Sequence, residues 1–167
     1  SGGTQGNSAS DYYSAISANG RYVAFTSSAS NLVDGDTNGS RDVFVHNRLN
    51  GQTTRSSVAS NGTQGNDRSE FPSISADGRY VTFQSYASNL VGGDTNEHHD
   101  IFVHDLQEGG TTRVSVASDG TQGNSVSYWP SISADGRYVA FQSYATNLVD
   151  GDTNKYDDIF VHDRHTG

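Results

Sequence analysis

The 167-residue sequence has no cysteine and no methionine, and only 10 Lys and Arg against 19 Asp and Glu. Without cysteine there is no disulfide scaffold, no thiol nucleophile and no thiolate metal site. A formal net charge of -9 with no basic stripe removes the electrostatic term that dominates nucleic-acid binding. DNA, RNA and anionic membrane surfaces are therefore not expected as partners. No apolar run approaches the roughly 20 residues that a spanning helix needs. What is abundant instead is Gly, Ser, Thr and Asn, the residues of turns and strand surfaces. Nine Tyr, seven Phe and one Trp are too many aromatics for a solvated tail, and the length suits a single domain over 1–167.

The chain repeats itself. Arg21-Tyr22-Val23 returns as Arg79-Tyr80-Val81 and as Arg137-Tyr138-Val139, a period of 58 residues. The phrase Gly-Thr-Gln-Gly-Asn starts at Gly3, Gly62 and Gly120; its first step is one residue longer, which places one insertion within 8–13. The units span approximately 8–60, 67–118 and 125–167. Within a unit, 131–134, 137–143 and 158–162 read as strands A, B and C, being short, rich in β-branched and aromatic residues and bounded by turns. Thr53 to Val58 and Thr111 to Val116 read as strand D. Asn19-Gly20, Asp77-Gly78 and Asp135-Gly136 are hairpin turns between A and B. Strand B carries apolar groups on both faces, so both faces must be covered. Blades stacked around an axis do this, whereas a flat sandwich predicts one polar face.

The pattern Ser-x-Ala-Asp-Gly-Arg-Tyr-Val-x-Phe-x-Ser, followed by Asp-Ile-Phe-Val-His-Asp, resembles the TolB-like (WD40-like, PD40-type) β-propeller repeat of bacterial proteins, and the resemblance covers essentially the whole chain. It implies an all-β propeller segment in an extracellular or periplasmic setting, serving as a scaffold, an interaction module or an accessory domain of a hydrolase. The repeat says little about which, because fold does not give function.

The loop from B to C is longer than in the usual form of that repeat. Its centre in the first unit, Asp34-Gly35-Asp36-Thr37-Asn38-Gly39-Ser40-Arg41-Asp42, places oxygen side chains at relative positions 1, 3, 5 and 9, with Ser40 at the backbone-carbonyl position of a calcium loop. The third unit matches with Asp150, Asp152, Asn154, Tyr156 and Asp158. The second keeps Asp94, Asn96 and Asp100 but has Gly92 at position 1, and Glu97 and Lys155 replace the Gly of the sharp turn. Two readings stand: calcium sites, or Asx turns with Asp42, Asp100 and Asp158 anchoring strand C. Leu32-Val33, Leu90-Val91 and Leu148-Val149 are expected to tuck the loop stem into the core under either reading.

The segment before strand A differs between units yet keeps aromatics. Tyr12, Tyr13, Phe71, Tyr128 and Trp129 form either a stacking surface at the channel rim, for a glycan or peptide, or a plug of blade core. His46, His104 and His162, one per unit in strand C, are expected to pack or hydrogen-bond; His98, His99 and His165 are expected on the surface. Glu70 and Asp67 have no evident partner. No nucleophile elbow, zincin motif or phosphate loop occurs, and most carboxylates sit at repeated turns, so no enzyme is expected.

With the TolB-like resemblance, these features lead to the expectation of a non-enzymatic secreted or periplasmic binding or scaffold propeller, with calcium as its expected stabilising ion. The alternatives are a purely structural self-assembling repeat protein, recently duplicated or engineered, and an accessory domain of a larger hydrolase. Strand D occurs twice and strands A to C three times, so the third unit lacks its outer strand. Three blades fall short of a ring, and completion to about six by a homodimer is the expected outcome.

Overall fold

The computed structural model describes residues 5–10 and 13–167. Among them are eleven strands and no helix, arranged as three antiparallel sheets that follow the repeat. The first sheet runs β1 (Ser14–Ile16), β2 (Tyr22–Ser27), β3 (Asp42–Asn47), β4 (Gln52–Arg55). The second is β5 (Ser69–Ile74), β6 (Tyr80–Ser85), β7 (Asp100–Asp105), β8 (Thr111–Arg113). The third has β9 (Ser127–Ile132), β10 (Tyr138–Ser143) and β11 (Asp158–Asp163), with no fourth strand beside β11.

Every sheet is a meander with the same central register. Phe25 faces Phe44, Phe83 faces Phe102 and Phe141 faces Phe160, each a stacked pair with ring centroids about 6 Å apart. The hairpin turns close as the Asn-Gly and Asp-Gly pairs require. Gly78 sits at φ +80° with its N–H donated to Ser75 O, and Asp77 accepts from Ser75 Oγ and Arg79 N.

The sheets stack face to face. β5 lies across β1, β2 and β3, and β9 lies across β5, β6 and β7. One core forms between the first two sheets, where Val43 and Val45 meet Ile74, Val81 and Phe83; a second joins Ile101 and Val103 to Ile132, Val139 and Phe141. Each such side chain contributes roughly 1.5–3 kcal/mol on burial. The strands that open each unit are thus the ones shared between sheets, as the inner strands of propeller blades are.

Three expected boundaries move. Strand A of the third unit begins at Ser127 rather than at 131, because its first half pairs with β10 ahead of a bulge between Ala140 and Gln142. Strand D is shorter than 53–58 and 111–116: the chain leaves the ladder after Arg55 and Arg113, where Ser57 and Ser115 turn inward to donate to Asp42 and Asp100. Of the loop stems, Leu90 and Leu148 are buried, but Val149 is exposed.

Candidate functional site

Tyr13, Phe71 and Trp129 occupy the same position of successive units, at the entrance to the inner strands. The structure brings them together along one groove of about 270 Å³ lined by Tyr13, Phe71, Pro72, Trp129 and Pro130. Tyr13 and Phe71 have ring centroids 4.6 Å apart. Tyr13 and Trp129 are each 57% exposed, so they do not plug the blade. Phe71 and Trp129 sit at φ 56° and 51°, a left-handed conformation that bulky side chains rarely adopt. They lie at the bulges of β5 and β9, where the ladder register shifts, and an extra backbone residue turns the ring out of the sheet. Such strain costs of order 1–3 kcal/mol and persists only where the surroundings hold it. Tyr12 lies outside the described residues.

The support for Trp129 comes from the neighbouring sheet. Gln84 Oε1 accepts the Trp129 N–H at 3.1 Å, and Gln84 Nε2 lies 3.1 Å from Nδ1 of His99. His99 was expected on the surface and is instead 6% exposed, wedged between Tyr86 and Tyr128, with ring centroids 3.4 and 5.4 Å away. Burial, and then the nearby Arg68 cation, push its pKa down to about 4, so the imidazole is neutral and its Nδ1 accepts from the Gln84 amide. Tyr128 in turn contacts Trp129 at 5.8 Å. At the preceding junction the equivalent residues are Thr26 and Arg41, and Arg41 pairs with Glu70 at 2.5 Å, which supplies the partner that Glu70 lacked in the sequence. Gln84 recurs as Gln142 and His99 stands in one unit alone, so neither announces this contact in the sequence.

The long loops take up a second arrangement. Asn38 accepts the Ser40 N–H on its Oδ1 and donates from Nδ2 to Asp42 Oδ2 (3.0 Å) and Gly65 O (2.9 Å). Asp42 also accepts from Ser57 Oγ at 2.6 Å. The cationic partner is an arginine: Arg55 Nη1 stands 3.4 Å from both Asp36 and Asp42 and 2.7 Å from Gln64 Oε1. The second loop repeats this with Asn96, Asp94, Asp100 and Ser115, where Arg113 lies 3.1 Å from Asp94 and 3.3 Å from Asp100. Burial, with the Asp100 charge added, pushes the Asp94 pKa up to about 6. Glu97 and Lys155 keep the sharp turn of Gly39 by adopting φ near +60° themselves.

A calcium ion needs six to eight oxygen ligands. In the first two loops those oxygens accept hydrogen bonds and the guanidinium fills the space between the carboxylates, so these residues, as arranged, fit arginine rather than calcium. Asp34 is solvent-exposed at the loop's edge. The third loop differs. Asn154 donates to Asp158 at 2.8 Å and accepts the Tyr156 N–H, but among the described residues no arginine strand flanks β11 and the buried Oδ1 of Asp152 has no hydrogen-bond partner. Asp150 is exposed beside it. Among the described residues, no three His, Asp or Glu side chains are grouped as a metal site. Arg55, Arg113, Gln64 and Gln122 escaped the sequence reading, although all four recur at the repeat period.

His46 and His104 each place Nδ1 about 3 Å from a threonine hydroxyl on the outer strand, Thr53 and Thr111. Burial lowers the pKa of His104 and of His162.

The sequence matches no known family profile and no curated protein. A solved TolB structure from Agrobacterium tumefaciens superposes with a TM-score of 0.60 at 19% identity, over 96% of this chain and 48% of that one. The fold is that of a TolB-like β-propeller segment. An acylaminoacyl peptidase from Pyrococcus horikoshii gives a TM-score of 0.54 at 16% identity over 95% of this chain and 23% of the peptidase. A prolyl endopeptidase structure gives 0.52 at 14% identity over 92% of this chain and 20% of the enzyme. The chain therefore spans about half of the TolB chain and less than a quarter of either peptidase. What it shares with them is the TolB-like propeller fold.

Proposed function

We propose that this TolB-like segment is a non-enzymatic binding module of an extracellular or periplasmic protein, and that the row Tyr13, Phe71, Trp129 is its ligand site. The observation that carries the reading is the strain: two of the three equivalent aromatics, Phe71 and Trp129, are held at positive φ, and Trp129 is held there with its indole exposed beside an exposed Tyr13 and a half-buried Phe71. A row of rings with a proline beside each of the last two suits flat, partly apolar groups, the faces of sugar rings or the apolar side chains of an extended peptide. The groove is shallow and open, and lined by apolar rings rather than by paired carboxylates or a nucleophile and base.

Calcium belongs to this reading only at the third loop. That loop keeps Asp150, Asp152 and Asp158 of the calcium spacing, and Asp152 Oδ1 accepts no hydrogen bond among the described residues.

Glycan and peptide arrays probed with the wild-type chain and with Trp129→Ala test the site. Binding to one class that the substitution removes is expected. Array signals identical for the two proteins would move the ligand site elsewhere.

A further inference from the structure

The two junctions between sheets use the same parts. The ring of Tyr22 lies over Gly78 and that of Tyr80 over Gly136, so closely that a Cβ at either glycine would overlap the ring. Arg164 closes over the second of these pockets. Its guanidinium sits 4.1 Å from the Tyr80 centroid, and its Nη1 donates to Gly136 O. Backbone bonds follow, from Ala18 N to Ala76 O and from Ala76 N to Ala134 O, both 3.0 Å. Along the loops, Gln64 and Thr37 exchange hydrogen bonds, as do Gln122 and Thr95, and the loop asparagine reaches Gly65 O or Gly123 O at 2.9 Å.

Each part has one copy left over. Tyr138, the third tyrosine, is 40% exposed. Gly20, the first glycine, carries no tyrosine ring among the described residues where Gly78 and Gly136 do, and a Cβ there would meet only Arg48 Nη1 at 3.7 Å and Ile16 Cδ1 at 4.0 Å; Arg48 Nη1 already donates to Gly20 O at 2.9 Å, the frame that Arg164 makes around Gly136. Ile159 and Val161 of β11 are 71% and 65% exposed, whereas their equivalents Ile101 and Val103 are fully covered by the next sheet. On the opposite face Ile16 is 58% exposed, although its equivalents Ile74 and Ile132 are buried. Gln5 lies at the same place as Gln64 and Gln122, and Thr153 and Asn154 have no glutamine or glycine carbonyl of their own among the described residues. The free face of the third sheet is therefore the complement of the free face of the first.

We propose that a second copy of this chain docks there head to tail, Tyr138 of one copy seating on Gly20 of the other beneath Arg48, with Ile159 and Val161 packing over Ile16. The occupant is argued from the molecule's own junctions, which join the same two surfaces twice with the same residues. A pair related by two-fold rotation uses both free faces at once and leaves neither in solvent. Burying these side chains also removes an apolar patch of the kind that soluble monomers rarely expose.

Light scattering after size exclusion, repeated over a hundredfold range of protein concentration, reads the assembly. The wild type should elute at twice 17.8 kDa. Tyr138→Asp and Ile159→Lys, both at exposed positions, should elute as monomers with an unchanged far-ultraviolet spectrum. A wild-type monomer at all concentrations would overturn the proposal, as would an assembly that persists in both variants. Because Trp129 lies outside the docking faces, Trp129→Ala should leave the mass unchanged, so failure here and failure of the ligand site are separable.

Discussion

Arg113 reaches from β8 to place its Nη1 3.1 Å from Asp94, and both side chains are nearly inaccessible, at 10% and 6% exposure. The same guanidinium serves Asp100, which is fully buried. This is a structural clamp: it ties the long loop and the base of β7 to the outer strand, and Gln122 Oε1 adds the following turn at 2.9 Å. Removing one partner of a buried pair leaves an uncompensated charge, which costs about 3–5 kcal/mol. Arg113→Ala is expected to lose stability of that order in urea unfolding, and Asp94→Asn added to it should recover part. A loss under about 1 kcal/mol, the range of surface pairs, would show that the clamp contributes little.

The calcium reading makes a prediction that separates the loops. Added calcium should raise the melting temperature of chelated protein, since a ligand of the folded state stabilises in proportion to the logarithm of its concentration. Asp152→Asn should abolish that rise, while Asp36→Asn, whose carboxylate already faces Arg55, should leave it intact. A melting temperature indifferent to both chelator and calcium removes calcium from the account.

Acidification should destabilise the protein through His99. Its folded pKa is about 4, below the 6.5 of a free histidine, so between those values the unfolded chain binds a proton that the folded chain does not. Stability from this group is complete above pH 6.5 and is lost as the pH falls toward 4, a difference of about 3 kcal/mol at 1.36 kcal/mol per unit. Asp94 acts in the opposite direction. Its folded pKa is raised to about 6 from 3.8, so its contribution declines as the pH rises through that window. Denaturant midpoints of wild type and His99→Gln, measured from pH 7 to pH 4, isolate the histidine: the gap between the curves should close on the acid side. Parallel curves would mean that His99 titrates normally.

Trp129→Gly tests whether the rim is strained for function. Glycine adopts positive φ without a steric cost, and the exposed indole leaves little packing to lose. The variant is expected to be as stable as wild type or more so, by up to about 1 kcal/mol, while losing ligand binding. A loss of about 3–5 kcal/mol, the cost of deleting a core aromatic, would place Trp129 in the blade interior.

The fold was legible because the repeat is a strong signal. Alternation in Arg137 to Ser143, Asp-Gly turns at the same offset and apolar groups on both faces of strand B leave few architectures open. The aromatic row was legible as residues and not as geometry. A residue before proline is biased toward extended backbone, so nothing in Phe71-Pro72 or Trp129-Pro130 announces a left-handed turn. The loops misled in a different way. Asp-x-Asp-x-Asn spacing is common to a calcium loop and to an Asx turn, and what chooses between them is an arginine some 19 residues later, brought back by the antiparallel pairing of β3 with β4. His99 was missed because a single histidine in a polar loop carries no periodic signal. Only its place opposite Gln84 in the folded sheet shows what it holds.

The binding site itself can be read through the single tryptophan. Acrylamide quenching of Trp129 emission should be strong in the free protein, in keeping with a 57% exposed indole, and should fall saturably as the glycan or peptide selected on the arrays is titrated in. Protection of the indole with a shift of its emission to the blue is the result this account predicts. Saturable binding of that ligand with no change in Trp129 quenching or emission would contradict it.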